Sequence, residues 1–212
     1  MGEYEFEELD IPFGESDLTD DPMDLFRAWY ADATETRPGD WLMTNALALG
    51  TVDQDQRPHV RVVLMKGIES RGIVFYTNYD SDKGRQLEAN PAAAGTFHWP
   101  HRYRQVRLEG TVRRTTREMS EQYFHSRPRG SQIGASVSAQ SQVIADRGVL
   151  ERERDELSER YRDQPIPLPD NWGGYEIVLH MMEFWQSRHD RLHDRFRYRW
   201  TNDRWEVSRL AP

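Results

Sequence analysis

The feature that most limits what this chain can fold into is a change of hydrophobic period near residue 42. From there apolar and polar residues alternate in LMTNALALGTV, PHVRVVLMK and GIVFYTN, with turn-forming stretches at Asp53-Gln54-Asp55-Gln56 and Glu69-Ser70-Arg71-Gly72 between them. Side chains on a strand repeat every two residues, so these runs predict an antiparallel meander with one face buried. Similar runs follow in AAAGTFHW, in YRQVRLEGTVRR and in three segments after Gly173-Gly174, near 175–182, 194–200 and 204–210. So many short strands with few helical stretches predict a closed or partly closed antiparallel barrel with helices packed outside. The pattern leaves the strand order open.

The helical stretches carry their own punctuation. Asp21-Pro22 supplies a cap and a first-turn proline, and Met23, Phe26, Trp29, Tyr30 and Ala33 recur at helical spacing. A helix starting there lies with this stripe against the barrel until Arg37-Pro38-Gly39-Asp40 breaks it. Asp82–Ala89, Thr116–Ser126 and Ile144–Tyr161 also read as helices, RPRGSQIGA as a loop or turn, and Gln164–Asp170 as a proline-rich linker. Residues 1–20 lack periodicity and read as a mobile acidic arm, which leaves 21–212 as a single domain.

Composition narrows the chemistry. With 37% hydrophobic residues, much of the burial falls to seven Trp, nine Tyr and eight Phe. The chain has no cysteine, which excludes a disulfide framework, a thiolate nucleophile and an iron–sulfur or thiolate zinc site. The reaction then rests on other side chains or on a cofactor. No apolar run approaches the roughly 20 residues of a membrane span, and the start MGEYEFEELD is acidic where a secretory signal is basic, so a cytoplasmic protein without membrane contact is expected. The formal charge of −8 is uneven: residues 1–60 carry a net −12 and residues 61–147 a net +6. An acidic protein with a basic middle suits small anions and not nucleic acid.

Three groups of residues carry candidate chemistry. In RLHDR, Arg191, His193 and Arg195 share one face if the segment is extended, and they repel one another unless an anion lies between them. A cross-strand ladder with Glu183 or Asp190 fits the same spacing. His189 and His193 are four apart, but the neighbouring arginines disfavour a metal ion. In RVVLMK, alternation puts Arg61 and Lys66 on opposite strand faces. In YFHSRPRGSQIG, Tyr123, Arg127 and Ser131 are four apart on a helix running into a turn, which fits an anion pocket or an arginine meeting the last carbonyls of a helix.

These groups and the segments between them resemble the pyridoxine/pyridoxamine 5'-phosphate oxidase family. RVVLMK, FYTNYDSDKGRQLEANP, FHWPHRYRQVRLEG, YFHSRPRGSQIGA, SAQS, PLPDNWGGY, EFWQSRHDRLHDR and the closing RLAP occur in the family's order from about Asp21 to the C-terminus. The resemblance implies an FMN-binding split β-barrel of antiparallel, Greek-key type. It also implies a homodimer with FMN at the interface and a C-terminal dimerisation segment at about 170–212. By resemblance, Arg61, Val62, Val63, Leu64, Met65, Lys66, Tyr76, Thr77, Lys83, Gln105, Gln140, Ser141, Trp185 and Arg195 match flavin-contacting positions. Lys66, Tyr123, Arg127, Ser131, Arg191 and His193 match positions that hold a phosphorylated pyridine, with Arg191 and His193 as the catalytic pair and no metal. The implied reaction moves hydride from the alcohol- or amine-bearing carbon to FMN, which dioxygen reoxidises. The sequence departs from the pattern at Tyr4, which follows Met1-Gly2-Glu3 and not arginines, at Met43-Thr44, at Asp82, and at Ser136, where a Trp is usual. A related oxidase of the kind that finishes phenazine biosynthesis, or a flavin- or pyridoxal-phosphate-binding carrier without turnover, is the alternative.

Overall fold

The computed structural model describes residues 11–212. In chain order the elements are α1 (Pro22–Glu35), β1 (Ala46–Val52), β2 (Pro58–Leu64), β3 (Gly67–Ile68), β4 (Gly72–Asn78), α2 (Asp82–Ala89), β5 (Ala92–Trp99), β6 (Arg104–Arg114), α3 (Arg117–Ser126), α4 (Arg129–Val137), α5 (Arg147–Arg160), β7 (Trp172–Gln186), β8 (Asp194–Thr201) and β9 (Arg204–Arg209). Helix α1 begins where the sequence places it, because the Asp21 carboxylate accepts from the Met23 amide at 2.9 Å and Pro22 occupies the first turn. Its stripe of Met23, Phe26, Trp29 and Ala33 is buried against the sheet. No helix among the described residues is long and apolar enough to cross a membrane.

The strands form one antiparallel sheet in the order β2-β1-β5-β6-β7-β4-β3, with β8 and β9 continuing from β7. It curls into a half-barrel around a core that includes Leu47, Phe75, Phe97, Trp99, Val106 and Phe184. The 15-residue β7 organises the sheet: its first half pairs with β4, its second half with β8, and β6 runs along both. The β6–β7 register jumps from Glu109↔Met181 to Gly110↔Leu179, so exposed His180 is an extra residue in β7. Such a bulge inverts the alternation. Tyr175, Ile177 and Leu179 face the core before it, and Met182 and Phe184 after it. Glu183 and Trp185 are therefore turned to the other face.

Four expectations need correction. RPRGSQIGA is helix α4, with Pro128 at its N-cap; proline breaks α3 but is compatible with opening the next helix. Tyr123 and Ser131 thus lie on different helices, and Arg127 sits between them in extended backbone. RLHDR is a turn until β8 begins at Asp194. Arg191 is left-handed at φ 63°, and the Asp190 carboxylate accepts from the Leu192 amide, so local side-chain bonding overrides the extended alternation. The proline-rich 164–170 stretch buries Ile166 and Leu168 in a second cluster with Phe124, Ile133 and Trp172. Finally, residues 11–20 are not a free arm. Phe13 is 4% exposed between Trp29 and Phe196, and Glu15 forms an ion pair with Arg209 at 2.9 Å that holds its carboxyl down to about pKa 2. Residues 1–10 of the expected arm, with Tyr4, lie outside the described residues.

Candidate active site

A cleft of about 500 Å³ opens where β2 and β4 meet helices α3 and α4. Its wall includes Val62, Val63 and Leu64 from β2, Lys66 from the link to β3, and Tyr76 and Thr77 from β4. Lys83, Tyr123, Arg127, Ser131 and Gln140 complete the cationic and polar part of the lining. Three cations thus face this space, and no carboxylate is among its lining residues.

Each cation is held in a particular way. Lys83, on the first turn of α2, is buried. Its Nζ donates to Thr77 Oγ1 at 3.0 Å, to Gln140 Oε1 at 3.1 Å and to Ser81 Oγ at 3.3 Å, all neutral oxygens. Gly84 permits this placement, because a Cβ there would collide with the Tyr79 carbonyl that the helix packs against. Burial first, and the nearby Arg61 charge second, push the Lys83 pKa below the ordinary lysine value. Arg61 reaches back from β2 to the Leu49 carbonyl, Thr51 Oγ1 and Gln86 Oε1, again without a carboxylate, and burial lowers its pKa too. Two like charges set side by side on neutral acceptors fit a shared anion.

Arg127 forms the second cationic centre. Its guanidinium lies 4.8 Å from the Trp172 ring centre, and its Nη1 is buried with no hydrogen-bond partner among the described residues. The helix-cap alternative belongs to its backbone, since the Arg127 amide meets the Phe124 carbonyl. Beside it Tyr76, Tyr123 and Trp172 stack nearly parallel, with Tyr76 and Tyr123 3.9 Å apart. Lys66 is exposed at the cleft mouth. Lys66 lies past the end of β2, its amide bonded to the Val74 carbonyl, so strand alternation does not set its face; Arg61 itself is not among the residues that line the cleft.

Of the remaining expected residues, Ser141 adjoins this group, its Oγ accepting from the Asp82 amide at the start of α2. The Met65 side chain is in the core and does not line the cleft. Gln105, Trp185, Arg191, His193 and Arg195 form a second group elsewhere. Gln105, Trp185 and Arg195 share one rung across β6, β7 and β8. The His193 ring lies 4.7 Å from Trp185, and its Nδ1 accepts from the Arg188 amide at 3.0 Å. The ladder alternative holds for Arg195, which binds Glu183. Trp172 in the cleft and Trp185 in the second group stand at opposite ends of β7, about 40 Å apart along the strand.

A family model described as pyridoxamine 5'-phosphate oxidase matches residues 41–161, more than half of the chain. The chain belongs to the pyridoxamine 5'-phosphate oxidase family. Its cofactor is accordingly FMN and its chemistry that of an oxidoreductase. The family's C-terminal dimerisation region matches residues 172–212. The chain is 49% identical to the pyridoxine/pyridoxamine 5'-phosphate oxidase of Pseudomonas paraeruginosa over 200 residues, covering 93% of this chain and 92% of the relative. It is 48% identical to that of Rhodopirellula baltica over 203 residues, covering 93% and 90%. Among solved structures, PhzG from Burkholderia lata in complex with tetrahydrophenazine-1-carboxylic acid superposes with a TM-score of 0.89 at 31% identity, covering 96% of this chain and 98% of that one. An FMN-binding protein from Nostoc punctiforme, at 15% identity and a TM-score of 0.73, covers 92% of this chain and 100% of its own, and shares the fold.

Sequence reasoning did not single out five residues of this family member's cleft: Asn78, Gly134, Ala135, Ser138 and Trp172. Trp172 had a signal, since it stands in PLPDNWGGY, but a lone Trp beside two glycines does not show that it stacks on a tyrosine two strands of sequence away. Gly134 and Ala135 had the same kind of signal, since they close YFHSRPRGSQIGA, but that stretch reads as a loop and does not show that a helix brings them to the cleft.

Proposed function

We propose that this chain oxidises pyridoxine 5'-phosphate or pyridoxamine 5'-phosphate to pyridoxal 5'-phosphate, working as a homodimer with FMN in the subunit interface. The observation that carries the reading is the pair of separate cationic centres with no carboxylate hydrogen-bonded to either: Lys66 with Arg127 on the cleft wall, and Lys83 on that wall with Arg61 behind it, where Asp82 is the one nearby carboxylate charge. Two phosphates, one on each ligand, would satisfy both. A phosphate monoester carries about −1.5 to −2 charges near neutrality. Arg61 and Lys83 would hold the flavin phosphate, supported by Thr77, Gln140 and Ser141. Lys66, Tyr123, Arg127 and Ser131 would hold the substrate phosphate, and the parallel aromatic rings would exclude water beside it. Held there, FMN would supply the acceptor for a hydride from the alcohol- or amine-bearing carbon, with dioxygen as the final oxidant and hydrogen peroxide as its product.

The second group would come from the partner subunit. Gln105, Trp185 and Arg195 would meet the flavin, and Arg191 and His193 the pyridine ring. Because Arg188 donates to His193 Nδ1, a neutral His193 carries its proton on Nε2 and would present that atom to the substrate as a donor. Two copies are needed because β7 separates the groups by its own length. Val60 and Val62 on edge strand β2, 72% and 65% exposed, give a second copy apolar surface to cover.

Hydrogen peroxide release from FMN-loaded protein given each phosphorylated substrate tests the assignment, and no turnover of either would sink it. The similarity to the phenazine-complexed structure favours a second reading, oxidation of a tricyclic carboxylate, which the same assay separates. Lys83 adds a pH signature. FMN is expected to bind most tightly below the lowered Lys83 pKa and to weaken as the pH rises through it, because the neutral amine no longer pairs with the phosphate. Lys83→Met should bind more weakly, with that alkaline decline removed. Equal pH slopes in the two proteins, read by flavin fluorescence, would remove Lys83 from the phosphate site.

A further inference from the structure

We propose that Glu183 is a positioning residue that aims the Arg195 guanidinium at the flavin; this deepens the reading above and rests on Arg195 being a flavin ligand. Glu183 is 3% exposed, and the bulge at His180 turns it away from the hydrocarbon core. Its Oε1 accepts from Arg195 Nε at 2.9 Å and Nη2 at 2.7 Å, and its Oε2 accepts from Arg107 Nη1 at 3.0 Å. Arg195 Nη1 donates to the Ala211 carbonyl at 2.8 Å, while the Leu210 amide bonds the Arg195 carbonyl. Three of the five guanidinium N–H donors are thereby fixed. The other two belong to the terminal nitrogens Nη1 and Nη2, the pair that serves a bidentate acceptor.

A flexible arginine loses rotamer freedom when it binds, and a clamped one has lost it beforehand. Neither Glu183 nor the Ala211 carbonyl needs to touch the ligand. The closing RLAP acquires a physical role, because its backbone holds the far side of the same side chain. Arg107 is a control built into the site: it shares the carboxylate, its side chain is 43% exposed, and its other ion pair is with Glu109 at 3.7 Å.

The test is a double-mutant cycle on the FMN dissociation constant of the full-length protein, measured by flavin fluorescence, with sedimentation checking the assembly of each variant. Arg195→Ala is expected to weaken FMN by about 10- to 100-fold, and Glu183→Gln by about 5- to 20-fold. The double variant should be no weaker than Arg195→Ala alone, because Glu183 acts only through Arg195. Arg107→Ala should stay within about 2-fold of the parent, since Glu183 then keeps its bond to Arg195. Full affinity in Glu183→Gln beside a weakened Arg195→Ala overturns the positioning role alone, as does an additive double variant or an Arg107→Ala as weak as Glu183→Gln. Full affinity in Arg195→Ala overturns the flavin role of Arg195, and the inference with it. If Glu183→Gln does not fold, Glu183→Asp, which keeps the charge but shortens the reach, takes its place in the same cycle under the same criteria.

Discussion

Arg127→Ala is expected to lower kcat/KM for pyridoxine 5'-phosphate by about 10- to 200-fold while FMN binding and dimerisation persist, as loss of a charge-assisted hydrogen bond worth about 1.5–3 kcal/mol implies. The geometry makes the variant informative. The Arg127 amide, which alanine retains, makes the bond to the Phe124 carbonyl, so the end of α3 is not uncapped. What is lost is a guanidinium whose Nη1 is buried and unpartnered among the described residues and whose flat face covers Trp172. Burial lowers the Arg127 pKa, the cost of holding a cation away from water where an anion would repay it. Stability should fall only by the cation–π contact, about 0.5–2 kcal/mol. Steady-state kinetics with phosphorylated and unphosphorylated pyridoxine decides the matter: a large loss confined to the phosphorylated compound supports the assignment. Equal losses for both would return the substrate to open.

Trp99→Ala should cost about 3–5 kcal/mol of folding stability, the largest single effect expected in the chain outside the site. Trp99 is 1% exposed, its ring lies 6.0 and 6.1 Å from those of Phe97 and Phe26, and its Nε1 donates to the Thr44 carbonyl at 2.8 Å. Truncation leaves both a cavity and an unmet buried carbonyl. Trp99→Phe separates these terms, and should cost about 1–3 kcal/mol, since most of the ring volume stays while the donor goes. For a chain of this size each kcal/mol moves Tm by about 2–4 °C. Calorimetry at fixed protein and FMN concentration should therefore find the alanine variant melting at least about 6 °C lower. A smaller shift would mean that the α1 side of the core collapses onto the space, which places less weight on Trp99 than its burial implies.

How much of this was legible depended on how local the signal was. Asp21-Pro22 and the 82–89 helix could be read because their caps are adjacent in sequence to the turns they close. Helix α4 was hidden by Pro128, which reads as a breaker and acts as a cap, and by Gly130 and Gly134, which lower helix propensity without forbidding a helix. RLHDR looked extended because alternation was its only visible property; Asp190 bonding back to the backbone is invisible at that level. Phe13 could not be placed, since a single aromatic in an aperiodic stretch gives no period, and its partners Trp29 and Phe196 are far along the chain. The cleft residues were recoverable as a group through family motifs. That each site draws on both chains is implied by the resemblance to an interface-binding dimer; which of the expected ligands fall in which group was not legible, because it follows from the length of β7 and the strand order.

The bulge at His180 also limits how this protein can change in length. Deleting His180 would close the bulge and leave Met182 and Phe184 facing the core, removing only the local bend; deleting one residue just beyond it would send Phe184 toward Glu183's present surroundings and the Glu183 carboxylate into hydrocarbon. A single insertion beyond it would do the same, whereas a two-residue change would keep the faces and move Trp185 along the strand by about 7 Å. The count of residues between His180 and Trp185 is therefore inherited as a unit, and the two-residue β8–β9 turn is held as well, because Asn202 and Asp203 are both left-handed at φ 51° and 59°.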